Sequence, residues 1–353
     1  MRIDEIHRLA TLPSDTARQD RLSGVVQALN KAALVASDCG LPDLARELCL
    51  RQFTALHAAA PLAATTAQYA LEPLVNLGRL ATRRGDGITA YRIYQDTFHA
   101  ATTGTTARID GHDVDFANLL QQPEDRQHLR RFLWAILLAD GTRALTTTGR
   151  WDDLLPHLQR YNGIGDRMLD GRQAATLSHA LRGHTEQALA MLDATNAPQP
   201  WEHAVTACLR TLCLHLAGRA HDIATADMID AYRAMPLQPE SVVFHTRLGL
   251  CTAELAQAIH PTAAKEITTA LVQLAVQTGD AHAASLLAHH GRLHPTADEQ
   301  ALTRVIEASG TGPRAMPQHL LNSLVAATRH ALAILVDLLT SARGPDRPHP
   351  TTT

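Results

Sequence analysis

The sequence predicts an all-α chain built from stacked helical hairpins. Gly149, Gly183 and Gly218 lie 34 and 35 residues apart in the 353-residue chain, and each follows an apolar helical run. A small or apolar residue stands five positions after each glycine, namely Leu154, Ala188 and Ile223. This interval is typical of two-helix units that stack into an α-solenoid, because one hairpin alone cannot bury its apolar face.

The composition is that of a folded protein, with 45% hydrophobic and 19% charged residues. A net charge of −3 gives no electrostatic reason to expect nucleic acid or an anionic membrane as a partner. The first residues lack the apolar core of a signal peptide, and no uninterrupted apolar stretch reaches membrane-spanning length. We therefore expect a cytoplasmic protein that binds no membrane.

Cysteine usage indicates the cellular compartment, and lysine usage indicates the kind of genome. The chain has five cysteines without CxxC spacing: Cys39, Cys49, Cys208, Cys213 and Cys251. They predict buried free thiols in a reducing compartment rather than a zinc or redox site. Lys31 and Lys265 are the only lysines among 32 basic residues, a bias that indicates a GC-rich bacterial genome.

The first elements follow the same hairpin rule. Residues 1–15 are expected to be a lead-in or a short capping helix. From Thr16 to Ser37, apolar residues recur at helical spacing, and the Gly40-Leu41-Pro42 turn begins a second helix. A second pair is predicted between residues 65 and 101, with its turn at Gly85.

In that second pair, Leu77-Gly78 precedes Gly85, and Ala90 stands five residues after it. These residues resemble the tetratricopeptide repeat (TPR) pattern, over residues 16 to 295 at the level of period and turns. The resemblance implies a right-handed superhelix of about six or seven hairpins, in which Gly78 allows close helix approach and Ala90 packs in the crossing. We expect the array to occupy residues 16–310.

The resemblance also implies a groove lined by the first helix of each pair. Its register assigns six residues to that face: Asn30, Arg79, Arg83, Arg143, Gln173 and His215. Several of these are long donors suited to a peptide backbone, carboxylate or phosphate. The alternative interpretation is that they are ordinary solvated residues.

The helical period breaks at residues 102–124. Asp110-Gly111, with Ile109 before it and Val114 and Phe116 after it, predicts a short β-hairpin. Such insertions often carry binding function, and a tolerated surface loop is an equally good interpretation. The polar candidates in the insertion are Asp110, His112, Asp113 and Asp115. Their spacing does not match an EF-hand, so we predict no metal there.

The remaining chain continues as helices, predicted at 125–148, 201–217, 220–234, 239–258, 262–278, 281–291 and 296–309. A turn like the others is expected at Gly279, and a disguised one at His260-Pro261. We interpret His289, His290 and His294 as surface histidines rather than metal ligands. The last helix, 317–342, is apolar almost all round in its second half, which predicts burial against the final repeats or in an oligomer interface. Residues 343–353 are predicted to be disordered.

No motif assigns a catalytic residue, and we predict no cofactor and no metal. The leading hypothesis is a non-enzymatic, peptide-binding or protein-binding solenoid that recruits or scaffolds a partner. The alternative is an auxiliary or catalytic component of a peptide natural-product tailoring pathway that grips the precursor peptide. A third hypothesis is a homodimer formed through residues 317–342.

Overall fold

The computed structural model describes residues 2–13, 15–290, 296–310 and 316–341. Its chain divides into two compact units. Unit 1 comprises residues 1–148 and 313–353, and unit 2 comprises residues 149–312. The described residues are mostly helical with one two-stranded sheet, which confirms the all-α class.

In unit 1, consecutive helices pack against one another from α1 to α6. The alternate helices α2, α4 and α6 also contact in a row. The elements are α1 (Arg2–Ala10), α2 (Arg18–Asp38), α3 (Pro42–His57), α4 (Ala64–Arg83), α5 (Gly87–Thr103), β1 (Thr106–Ile109), β2 (His112–Asp115), α6 (Arg126–Ile136), α7 (Thr142–Thr147) and, from the end of the chain, α17 (Gln318–Thr340).

Unit 2 shows the same two kinds of contact, between consecutive helices and along the row α9, α11, α13 and α15. Its elements are α8 (Trp151–Arg160), α9 (Asp170–Leu181), α10 (Thr185–Asp193), α11 (Pro200–Leu216), α12 (Asp222–Arg233), α13 (Val242–Ala256), α14 (Pro261–Thr278), α15 (Ala281–His290) and α16 (Thr296–Ser309). The break between α13 and α14 confirms the turn at His260-Pro261.

The predicted turn glycines adopt the left-handed conformation that ends a helix. Positive φ occurs at Gly40, Gly85, Gly149, Gly183, Gly218 and Gly279. At the first of these turns, the Leu41 N–H donates to the carbonyl oxygen of Ala36 at 2.9 Å. This bond from the residue after the glycine back into the last helical turn marks a Schellman motif, which glycine favours because it has no Cβ.

The residue five positions after the glycine is buried in every turn but one. Ile223 is 81% exposed, so the packing expected there is wrong. The turn after Gly218 is two residues longer, since α12 begins at Asp222, four positions after the glycine instead of two. Thr225 takes the packing position: its N–H donates to the His221 carbonyl oxygen at 2.8 Å, and its side chain is fully buried.

The regular helix predicted at 125–148 is interrupted. A short 3₁₀ turn precedes α6, and a π-helical segment, Leu137–Gly141, joins α6 to α7. A π turn inserts a residue and re-aims the side chains around it, and such turns are common at functional sites. Here it directs Asp140 into the interior, where the residue is 6% exposed.

The last helix, expected to be buried against the final repeats or in an oligomer interface, packs on the first helices of the chain. α17 contacts α1, α2 and α3, and the Arg18 side chain donates to the Leu338 carbonyl oxygen. The lead-in contains α1, which packs on α2. Among the described helices, α17 alone is long and apolar enough to cross a membrane, a test that core helices also pass, and 39% of its most apolar window is buried. His294 and the tail at 343–353 lie outside the described residues.

Candidate functional site

A cavity of about 340 Å³ in unit 1 is bordered by α2, α4 and α6. It contains three of the six predicted groove residues, Asn30, Arg79 and Arg83. Its other polar side chains include Glu72 and Asn76. Its apolar side chains include Leu34, Val75, Leu80, Phe132 and Ile136. The cavity therefore combines fixed polar groups with an apolar wall, as small-ligand and peptide sites do.

The polar wall follows from helical spacing on α4. Glu72, Asn76, Arg79 and Arg83 recur at intervals of three and four, which places them on one face of the helix. Asn30 stands opposite them on α2. The residues of α2 and α4 that line the cavity thus include three of the six that were predicted for a groove.

Hydrogen bonds link these side chains across the two helices. The Asn30 Nδ2 donates to Glu72 Oε2 at 2.7 Å, and Asn76 Nδ2 donates to Asn30 Oδ1 at 3.1 Å. The Arg79 Nη1 then donates to Asn76 Oδ1 at 3.4 Å. Each amide therefore joins its neighbours, so the donors and acceptors of the wall are held in place before any ligand arrives.

The arginines of the cavity are paired with carboxylates of their own unit. Arg79 donates through Nε and Nη2 to Asp140 Oδ2, at 3.1 and 2.8 Å. Arg143, a further predicted groove residue, lies 3.7 Å from the other Asp140 oxygen. Arg83 donates to Asp38 Oδ1 at 2.9 Å. These pairs neutralise much of the positive charge that would attract an anionic ligand.

Glu72 is different, because neutral amides hold its carboxylate. Asn30 donates to it at 2.7 Å, and no basic side chain of the described residues forms an ion pair with it. Burial raises the pKa of Glu72, and the amides of Asn30 and Gln68 and the charge of Arg79 oppose that rise. Gln68 is positioned by His128, whose Nε2 lies 2.8 Å from the Gln68 Oε1.

The other two predicted groove residues belong to unit 2 and have local partners there. The Gln173 Nε2 donates to the Met168 carbonyl oxygen at 2.8 Å. The His215 ring lies edge-on to the His221 ring, with centroids 5.3 Å apart. Neither residue lines the unit 1 cavity. The six candidates thus divide into three that line the cavity, Arg143 beside them on Asp140, and two separate positions in unit 2.

The insertion forms the predicted hairpin. Ile109 pairs with His112 across a two-residue turn, in which Asp110 and Gly111 both have positive φ. Asp110 Oδ2 accepts a hydrogen bond from Arg46 Nε at 2.6 Å, and the Asp115 carbonyl oxygen lies 2.7 Å from the His57 Nε2. These contacts attach the hairpin to α3.

The polar residues of the hairpin do not converge on a common point. Asp113 is 72% exposed beside Arg108, and His112 is exposed on the opposite strand position from Ile109. In the described part of the chain, no group of three or more His, Cys, Asp or Glu side chains is placed to hold a metal ion. The described contacts of these residues are those that attach the hairpin to α3 and the pairing of Arg108 with Asp113.

Two members of the site were not singled out by the sequence analysis. Glu72 was overlooked, although its helical spacing from Asn76 and Arg79 places it on the same face. Asp140 was read as part of a regular helix. The signal for it was an Asp-Gly pair, Asp140-Gly141, inside an otherwise apolar helical run, where both residues disfavour a regular turn.

Comparisons with known proteins do not assign a family to this chain. No protein-family model matches it, and no curated protein or solved structure is detectably similar to it. The resemblance to TPR repeats remains a prediction, and the function has to be inferred from the cavity.

Proposed function

We propose that this chain is a non-enzymatic, TPR-like binding protein that holds a segment of a peptide or partner protein in the unit 1 cavity. The observation that carries the proposal is the cavity between α2, α4 and α6, where a linked set of polar side chains faces an apolar wall. A segment with alternating polar and apolar side chains matches such a surface.

The packing of the helices supports a repeat architecture. In both units, alternate helices contact in a row while consecutive helices pack in pairs. Stacked helical hairpins produce this arrangement, because each repeat buries its apolar face only against its neighbours. In a TPR-like superhelix, the row of first helices lines the concave surface, which corresponds here to α2, α4 and α6.

The chemistry of the lining favours binding over catalysis. Cys49 is the thiol at the cavity wall, and burial raises its pKa to about 12, with Asp110 contributing. A thiol with that pKa stays protonated at neutral pH and is a poor nucleophile. In contrast, Leu34 at the wall is 46% exposed, and apolar surface of this kind is stabilised when a ligand covers it.

Selection from a display library of short random peptides on the immobilised full chain tests this proposal. We expect enriched peptides that bind the wild type in isothermal titration calorimetry. Leu34→Gln should bind them at least about tenfold more weakly, because it removes apolar contact worth about 1.5 kcal/mol or more. Circular dichroism of the variant checks that it is folded.

Ile223→Gln is the matched control, because Ile223 is an exposed apolar residue of unit 2 that does not line the cavity. It should bind the enriched peptides as the wild type does. The proposal is overturned if selection enriches no peptide, or if a folded Leu34→Gln variant binds as tightly as the wild type.

A further inference from the structure

Most charged side chains at the cavity form ion pairs, and Glu72 does not. Lys31 pairs with Glu5, Arg79 with Asp140, and Arg83 with Asp38. Glu72 is the carboxylate left without a cation within the described part of the cavity wall. Arg143 shares Asp140 with Arg79, so the charges around the polar face balance, and Glu72 is the carboxylate that forms no ion pair within the described part of the chain.

The carboxylate of Glu72 is also oriented. Asn30 donates to its Oε2 at 2.7 Å, and Asn76 in turn donates to Asn30, so less side-chain entropy remains to be lost when a ligand binds the carboxylate. Keeping a half-buried carboxylate without a counter-ion is costly, and an incoming cation would offset that cost. A second carboxylate placed there would instead add repulsion between like charges.

The apolar wall selects the form of the cation. Leu34, Val75 and Phe132 line the same cavity as Glu72. Lysine and arginine carry an aliphatic stem that packs on apolar surface while the charged end reaches a polar group. A small inorganic cation would leave this apolar wall uncovered, and it would lack the cluster of oxygen ligands that such ions require.

We propose that the segment held in the cavity presents a lysine or arginine side chain, whose charged end pairs with Glu72 and whose stem packs on Leu34 and Phe132. This inference rests on the proposed function and specifies its ligand. The basic residues that suggested an anion site in the sequence serve instead to neutralise Asp38 and Asp140. What remains for the ligand is the charge of Glu72.

Fluorescence anisotropy with four labelled peptide pools tests the inference on the full chain. The pools share mixed Ala, Leu and Ser flanks and differ in one central residue, which is Lys, Arg, Gln or Glu. We expect the Lys and Arg pools to bind the wild type about tenfold more tightly than the Gln pool, and the Glu pool to bind most weakly. Glu72→Gln should abolish the preference for the basic pools.

Glu124→Gln is the charge-matched control, because Glu124 is an exposed acid of unit 1 outside the cavity wall. It should keep the preference of the wild type. Because Glu72→Gln keeps the size of the side chain, circular dichroism should show wild-type helicity. A Glu72→Gln variant that is folded and still prefers the basic pools would contradict the assignment.

The remaining outcomes separate this inference from the proposed function. Equal binding of all pools overturns the basic-residue assignment and leaves a peptide site. Absence of binding by every pool overturns both. Titration with 1,5-diaminopentane is the last arm: saturable binding tighter than that of the Lys pool would replace the peptide with a free amine.

Discussion

Unit 1 and unit 2 use the same glycine turn but place their buried polar groups differently. In unit 1, Asp38 and Asp140 bind arginines 45 and 61 residues away in sequence, at the edge of an open cavity. In unit 2, the buried Arg172 donates to Thr195 Oγ1 at 2.8 Å and to two backbone carbonyl oxygens. The first arrangement orients side chains around a cavity, and the second fastens an irregular loop.

The loop before α9 packs closely against the first turn of that helix. The Gly163 carbonyl oxygen lies against Gly171, where an added Cβ would come within 1.9 Å of it. Arg172 binds the Gly165 carbonyl oxygen, and Arg167 pairs with the fully buried Glu202. Here a glycine is needed for close backbone approach, and the buried charges are satisfied internally. A half-buried carboxylate without an ion pair, such as Glu72, is therefore a better indication of a ligand than a buried charge that is already paired.

The largest loss of stability should come from adding a side chain at Gly171, where two backbone segments lie in contact. Gly171→Ala should lower the free energy of unfolding by about 3 kcal/mol, because the new methyl group meets backbone that cannot move without shifting the loop. Urea denaturation followed by circular dichroism measures it. Gly165→Ala, where an added Cβ meets nothing within 4 Å, should stay within about 0.5 kcal/mol of the wild type. Equal stability of the two variants would contradict the role of close packing in unit 2.

A smaller loss of stability is expected from removing the charge of Asp140 in unit 1. Asp140→Asn should cost about 1 to 2 kcal/mol, because Arg79 and Arg143 lose their shared counter-ion while their side chains stay 48% and 64% exposed. Thermal unfolding at neutral pH reports it. The same change at Asp113, which is 72% exposed, should be nearly neutral. If the Asp140→Asn and Asp113→Asn variants have the same melting temperature, the stability of the π segment does not depend on the buried carboxylate of Asp140.

The smallest effect should have the opposite sign. Because burial raises the pKa of Glu72, its ionisation opposes folding, and Glu72→Gln should stabilise the chain by roughly 0.5 kcal/mol at pH 7. The gain is largest above the raised pKa and shrinks as the pH falls through it, and it vanishes below the ordinary value of 4.5, where the carboxyl is neutral in both states. Denaturation at a series of pH values measures this, and a variant less stable at pH 7 would refute the charge cost.

Local requirements were predictable from the sequence, and long-range pairings were not. The turn at Gly40 and the Asp110-Gly111 hairpin depend on backbone conformations that few residues adopt, so their positions were correct. Ile223 was misplaced because two extra turn residues change the register without changing the motif. The apolar pattern of α17 required burial but did not specify against which helices.

The candidate site divides in the same way. Helical spacing places Arg79 and Arg83 on one face of α4, since that depends only on the chain near each residue, and the register of the TPR resemblance added Asn30 on α2. The pairing of Arg79 with Asp140 depends on the π segment and on a contact 61 residues away, which spacing does not encode. Without that pairing, the sequence indicated a surface with free arginines, and it gave no reason to single out Glu72.

The packing of α17 on α1, α2 and α3 has a consequence for biosynthesis. Unit 2 is one continuous stretch, whereas unit 1 needs residues from both ends of the chain. As the ribosome releases the chain from its N-terminus, all of unit 2 emerges before α17 does. The apolar surface of α2 and α3 that α17 covers therefore stays exposed until α17 has been synthesised. Unit 1 is completed last although its synthesis begins first.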